Sequence, residues 1–265
     1  MGNRYRPLWP SAANTKDLNT VASRALSLLT EKERASVLRY YHVRDAKLAL
    51  ASALVKRYAI SRFCGVPWSS AEVPATLEQN PCSAGLAVLF AVHNPPKGLA
   101  VGVDVVCPTE RRTRDLGTLA GEGWNSFVDM HAEVFGLGEV TALKKINPGA
   151  DVAERDRALR YFYALWCLRE AYVKMTGEAL LASWLRDLEM RGFAPPEDMT
   201  GPQEVWFNGE EVKDVDIKLV SLLGEYMIST AVRRGENGEG VEVGDFKMLD
   251  IEQVLAFGED ATDAL

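Results

Sequence analysis

The segment DVAERDRALRYFYALWCLREAYVKMT, residues 151–176, constrains the fold more than any other stretch of this chain. Helix-favouring residues, an acid-containing first turn and Gly177 just past the end predict one long helix. Along it stand Tyr161, Phe162, Tyr163, Leu165, Trp166, Leu168, Ala171, Tyr172 and Val173, which leave few faces for water. Such a helix has to be packed on several sides. The apolar run GEALLASWL follows directly and is expected to pack close by.

The rest of the chain supplies the packing partners. Residues 31–63 carry apolar side chains at mixed three and four spacing and predict one or two helices. The polar face there is basic, with Arg34, Arg39, Arg44, Lys47, Lys56 and Arg57. LAVLFAVH (86–93) and GLAVGVDVV (98–106) are short β-branched runs that predict buried strands, separated by Pro95 and Pro96. FVDMHAEVFGLGEVTALKKI (127–146) predicts two short helices split near Gly136–Gly138. VWFN and VDIKLVSLLGEYMISTAV predict further strands, with turns at Gly209 and Gly224. The proline-broken stretch 65–85 reads as loop, as do the glycine runs LGTLAGEG (116–123) and RRGENGEG (233–240), which lack the flanking strand and helix of a nucleotide fingerprint. Helix, strands, helices, strands is an α+β order. At 265 residues the chain holds one large domain or two modest ones, and the expected division is 1–102, 103–235 and an acidic tail 236–265.

Charge is unevenly distributed. From Glu236 onward nine acids face one base, Lys247, so the tail carries −8 of the net −7 and residues 1–235 carry +1. A nearly neutral body can host a polyanionic ligand, but it lacks the basic face of a nucleic-acid binder. No run approaches the roughly 20 apolar residues that span a bilayer, and the first residues do not read as a signal peptide. Cys64, Cys82, Cys107 and Cys167 have no C-x-x-C spacing, so neither a disulfide framework nor a zinc site is indicated. The expected compartment is the cytosol.

Glu170 and Lys174 are the first candidates for chemistry. Four apart on a helix they share a face, and by spacing alone they are an ordinary surface pair worth a few tenths of a kcal/mol. The apolar surroundings argue against that. Asp104, within VGVDVV, places a carboxylate among β-branched neighbours, which is costly unless it caps a turn, is paired or holds a cation. Asp104 and Glu170 together offer two hard oxygen ligands of the kind that hold Mg²⁺ beside a phosphate. His93 follows a predicted strand, where an imidazolium would suit a phosphate, although a lone histidine is more often structural. Arg44 and Lys47 either belong to a solvated face or meet phosphates.

Taken together these motifs resemble the 4′-phosphopantetheinyl transferases, in particular the longer stand-alone type and its fungal members. V101-G102-V103-D104 is similar to the family's G-[IV]-D strand. W166-C-L-R169-E170-A171-Y-V-K174 is similar to its W-x-x-[KR]-E-A-x-x-K helix, and G177-E-A-L180 follows it. P67-W68-S69 and Y41-H-V-R44-D-A-K47 resemble the family's first half. The likeness covers roughly residues 30–250.

That resemblance implies two pseudo-symmetric α/β halves with the active site in a cleft between them, in a monomer. It implies transfer of the phosphopantetheine arm of coenzyme A to a serine of an acyl or peptidyl carrier protein, serving fatty-acid, polyketide, nonribosomal-peptide or lysine synthesis. Asp104 and Glu170 would hold Mg²⁺, with Glu170 also the base that deprotonates the serine. Lys174 would meet the departing 3′,5′-ADP, and Arg44, Lys47 and His93 would hold coenzyme A phosphates. Val106 stands where many relatives have a third carboxylate. Phe90 and Val92 replace the asparagine and serine of the family's F-N-x-S-H element, and Q79-N80-P81 stands at its G-[KR]-P position. Two other readings remain open on the residues: a homologue that binds coenzyme A or carriers without efficient transfer, and a plain α+β scaffold.

Overall fold

The computed structural model describes residues 9, 11–71, 88–92, 94–178 and 182–263. The chain forms two compact units, one from residues 1–93 with 243–265 and the other from residues 94–242. The division therefore falls at 93/94 rather than at the expected 102/103, which would cut a strand, and the acidic tail is shared between the units. Among the described residues no helix is long and apolar enough to cross a membrane.

The described part of the first unit is helical. Short helices α1 (Leu18–Val21) and α2 (Ser23–Ser27) lead to α3 (Glu31–Leu38) and α4 (Val43–Cys64). Thr30 and Glu33 cap α3 reciprocally, each side chain taking the other's backbone N–H. Gly65, in the left-handed region at φ 66°, ends α4. The buried Arg57 of α4 pairs with Glu33 at 2.9 Å and donates to the Trp68 carbonyl at 2.5 Å. Trp68 in turn donates its indole N–H to the Leu28 carbonyl at 2.8 Å. Residues 88–92 of the run expected as a strand have no regular structure; none of the described strands pairs with them. Residues 86, 87 and 93 lie outside the described residues.

The second unit opens with β1 (Ala100–Val106), followed by α5 (Pro108–Glu122), α6 (Trp124–Asp129), α7 (Leu137–Ile146) and α8 (Val152–Thr176). Then come β2 (Leu188–Arg191), β3 (Glu204–Phe207), β4 (Glu210–Glu211), β5 (Val215–Leu222) and β6 (Tyr226–Arg233). One antiparallel sheet has the order β1-β6-β5, and a smaller one the order β2-β3-β4. Most of α8 is buried between Ala158 and Met175, as its composition demanded. It lies directly on β1, where a Cβ added to Gly102 would stand 2.1 Å from the Ala171 carbonyl oxygen. No residue but glycine lets strand and helix approach so closely.

The stretch LGTLAGEG is helical, not a loop: it is most of the second half of α5. Gly117 and Gly121 face open space, so they cost the helix only backbone entropy. The buried Leu119 and Asp115 on the opposite side anchor it, Asp115 accepting a hydrogen bond from Tyr163 of α8. RRGENGEG is irregular beyond Arg233, as expected.

The chain's last segment returns to the first unit as α9 (Ile251–Asp263). Val254 and Leu255 are buried, and Phe257 sits edge-on to Tyr58. Arg24 clasps Glu252 at 2.5 Å and Glu259 at 2.6 Å, so part of the tail's negative charge is spent inside the unit.

Candidate active site

Backbone register places the chemistry. Gly102, Asp104 and Val106 alternate onto one face of β1, and Gly102 meets α8 at Ala171 and Met175. Glu170 and Lys174 precede those two contact residues by one position each, so they rise beside the same strand one turn apart. Lys174 Nζ lies 2.6 Å from Asp104 Oδ1. The Asp104 side chain is 10% exposed and that of Lys174 24%, so water screens this contact poorly. The surface-pair reading of Glu170 and Lys174 does not hold, because the lysine reaches across to the strand.

Glu170 is half-buried. Its burial, and secondarily the negative charge of Asp104, push its carboxyl above the ordinary carboxylate range; Lys174 partly offsets this. A carboxylate so placed keeps a proton more readily than one in water. Beneath Asp104, the Cys167 thiol donates to the Asp104 and Met227 carbonyls, each at 3.5 Å, and burial raises its own pKa well above that of a free thiol. Across the sheet from Asp104 is Ser229, whose buried hydroxyl has no hydrogen-bond partner.

Asp104 and Glu170 are near enough for their charges to repel, and among the described residues no group of three or more histidine, cysteine or acidic side chains converges. Val106, two residues after Asp104 on β1, adds no oxygen to that face of the strand. Two hard oxygens in a half-buried setting fit Mg²⁺, which usually keeps waters and completes its shell with substrate phosphate rather than with a full protein cage.

The other predicted residues are not brought to this cluster within one unit. Arg44 and Lys47 stand three apart near the start of α4 in the first unit, Arg44 exposed and Lys47 donating to the Trp9 carbonyl at 3.0 Å. His93 lies outside the described residues, as do Gln79, Asn80 and Pro81.

Arg169 has a part that spacing alone does not reveal. It is 1% exposed and donates to Glu139 Oε2 and the Leu188 carbonyl, both at 2.7 Å, and to the Leu185 carbonyl. Glu139 also accepts from the backbone N–H groups of Gly136 and Met190, each at 2.7 Å. Burial pushes the Glu139 pKa up against those three contacts. The pair ties α7, α8 and β2 together directly behind Glu170. Its sequence trace is only Glu139 at the third position of α7, a capping signal with no pointer to an arginine thirty residues on.

Residues 100–231 match the family described as the 4′-phosphopantetheinyl transferase superfamily, and residues 17–89 match the 4′-phosphopantetheinyl transferase N-terminal family. The chain is 65% identical over 272 residues to 4′-phosphopantetheinyl transferase 1 of Fusarium mangiferae, covering 97% of this chain and 93% of that protein. It is 30% identical over 305 residues to 4′-phosphopantetheinyl transferase NpgA of Emericella nidulans, covering 89% and 88% respectively. With 4′-phosphopantetheinyl transferase A of Aspergillus fumigatus it shares 30% identity over 282 residues, 78% of this chain and 77% of that one.

Proposed function

Because the chain belongs to the 4′-phosphopantetheinyl transferases, we propose that Asp104, Glu170 and Lys174 are the groups at which the phosphopantetheine arm of coenzyme A passes to a carrier-protein serine. The observation that carries this reading is the convergence of two carboxylates and a lysine on one strand–helix contact, with Glu170 pushed toward holding a proton.

The serine oxygen attacks the β-phosphorus of coenzyme A, forming one P–O bond as the bond to 3′,5′-ADP breaks. Glu170, directly or through a water, takes the serine proton. Lys174 meets the charge left on the departing ADP, and its flexible stem lets it move from Asp104 to do so. Asp104 and Glu170 would hold Mg²⁺, which supplies charge neutralisation at the pyrophosphate when bound. Arg44, Lys47 and His93 are assigned to the coenzyme A phosphates, with guanidinium and ammonium as suitable donors. The partner is an acyl or peptidyl carrier protein, and the setting is a cytosolic monomer.

Incubation with coenzyme A, Mg²⁺ and an apo carrier is expected to add one phosphopantetheinyl group to the carrier, read by intact-protein mass spectrometry. Glu170→Gln is expected to slow this by about 10²–10⁴-fold, the usual worth of a positioned base. A wild-type protein that modifies none of several apo carriers overturns the reading.

A further inference from the structure

The 2.6 Å contact between Lys174 and Asp104 has no place in the transfer step itself, where the lysine serves the leaving group. It engages Oδ1, one of the two Asp104 oxygens that the proposed site offers a cation. We infer that Lys174 is an internal stand-in for the metal: it holds the cation position on Asp104 in the free protein and leaves it when coenzyme A arrives. The inference rests on the reading of Asp104 and Glu170 as metal ligands.

Three observations carry it. First, the ammonium 2.6 Å from Oδ1 puts a full positive charge where a divalent ion would bind, so the two cations compete for the same carboxylate. Second, the charge count is unbalanced for metal alone. With both carboxylates ionised, they and the lysine leave a single negative charge, which a divalent ion converts to a positive one beside the buried Asp104. The pyrophosphate of coenzyme A brings the negative charge that restores the balance and gives the displaced ammonium a new partner. Third, Val106 supplies no further carboxylate on that face of β1 to offset the excess. Divalent metal therefore binds the free protein weakly, and metal and coenzyme A strengthen one another through Lys174. By linkage, that coupling is mutual.

The test is Mn²⁺ titration of the full chain without coenzyme A, free Mn²⁺ being read by electron paramagnetic resonance, for wild type, K174M, K174Q and D104N/K174M. Circular dichroism reports that each variant is folded. K174M and K174Q are expected to bind Mn²⁺ at least about tenfold more tightly than wild type, and D104N/K174M to lose that gain. Coenzyme A is expected to tighten Mn²⁺ binding more in wild type than in K174M. If both single variants bind Mn²⁺ no tighter than wild type, while wild type modifies an apo carrier in a metal-dependent way, the stand-in role is overturned and the transferase reading survives. If D104N/K174M keeps the gain, Asp104 is not the ligand, and the metal-site reading falls together with this inference.

Discussion

Replacing Gly102 by alanine adds a single methyl group at the place where strand and helix are closest. That carbon would stand 2.1 Å from the Ala171 carbonyl oxygen and 2.5 Å from the Met175 nitrogen. Comfortable contact between such atoms is about 3.5 Å, so β1 and α8 must part by about 1–1.4 Å. Both obstacles are backbone atoms of a buried helix, and neither can rotate aside. Overpacking of a core costs about 1–3 kcal/mol, and a backbone clash belongs at the upper end, about 3 kcal/mol. Asp104 rides on β1 and Glu170 on α8, so the same displacement moves the two proposed ligands apart, and a shift of about 1 Å at a reacting centre can cost 10²-fold in rate. Urea unfolding and carrier modification should both register the change. Gly121→Ala is the control: its added methyl meets nothing within 4 Å on α5, so it should stabilise by about 0.5–1 kcal/mol. A Gly102→Ala protein with wild-type urea midpoint, slope and transfer rate would refute the close-approach reasoning.

Arg169→Met leaves Glu139 buried without its guanidinium and is expected to cost about 3–5 kcal/mol in urea unfolding, with much of the loss recovered by adding Glu139→Leu; a loss under about 1 kcal/mol would mean the pair does not tie α7, α8 and β2. In metal-free protein labelled with ¹³C-glutamate, the Glu170 carboxyl should titrate above its ordinary 4.5, moving down in D104N and up in K174M. The sign follows from the raised value: the folded chain keeps this proton where the unfolded chain has lost it, so Glu170 costs stability as pH rises through that window. A Glu170 titration unmoved by D104N would separate the two carboxylates.

The second unit was largely legible in the sequence because its signals are local. Residues 151–176 announced α8 to within a residue, Gly177 stopping it at φ 77°, and the β5–β6 hairpin followed from β-branched runs around Gly224. Asp104, Glu170 and Lys174 converge because period-two and period-four spacings bring them to one strand–helix face. Lys174's partner was not legible: spacing favours Glu170, and only the close approach allowed by Gly102 puts Asp104 within reach. Helix α5 was misread because glycine lowers helix propensity by about 1 kcal/mol per residue, whereas packing of Leu119 and Asp115 against α8 outweighs that cost. Of the strand expected at 86–93, only residues 88–92 are described, and they have no regular structure. Among the described residues no strand accepts hydrogen bonds from that run, and a β-branched stretch needs such a partner to form a strand.

Helix α9 has a consequence for the order in which this protein can be made. Among the described residues, the first unit takes Val254, Leu255 and Phe257 into a core otherwise built from residues before 72. Between those two contributions lies the whole second unit, residues 94–242. At ribosomal speeds of about 5–20 residues per second, that interval lasts on the order of ten seconds. For that time Trp68 and Leu28, which Gly258 will cover, have no lid. The second unit, contiguous in sequence, can be complete before the first has its last helix, so the half of the chain made earlier is the half that finishes folding later.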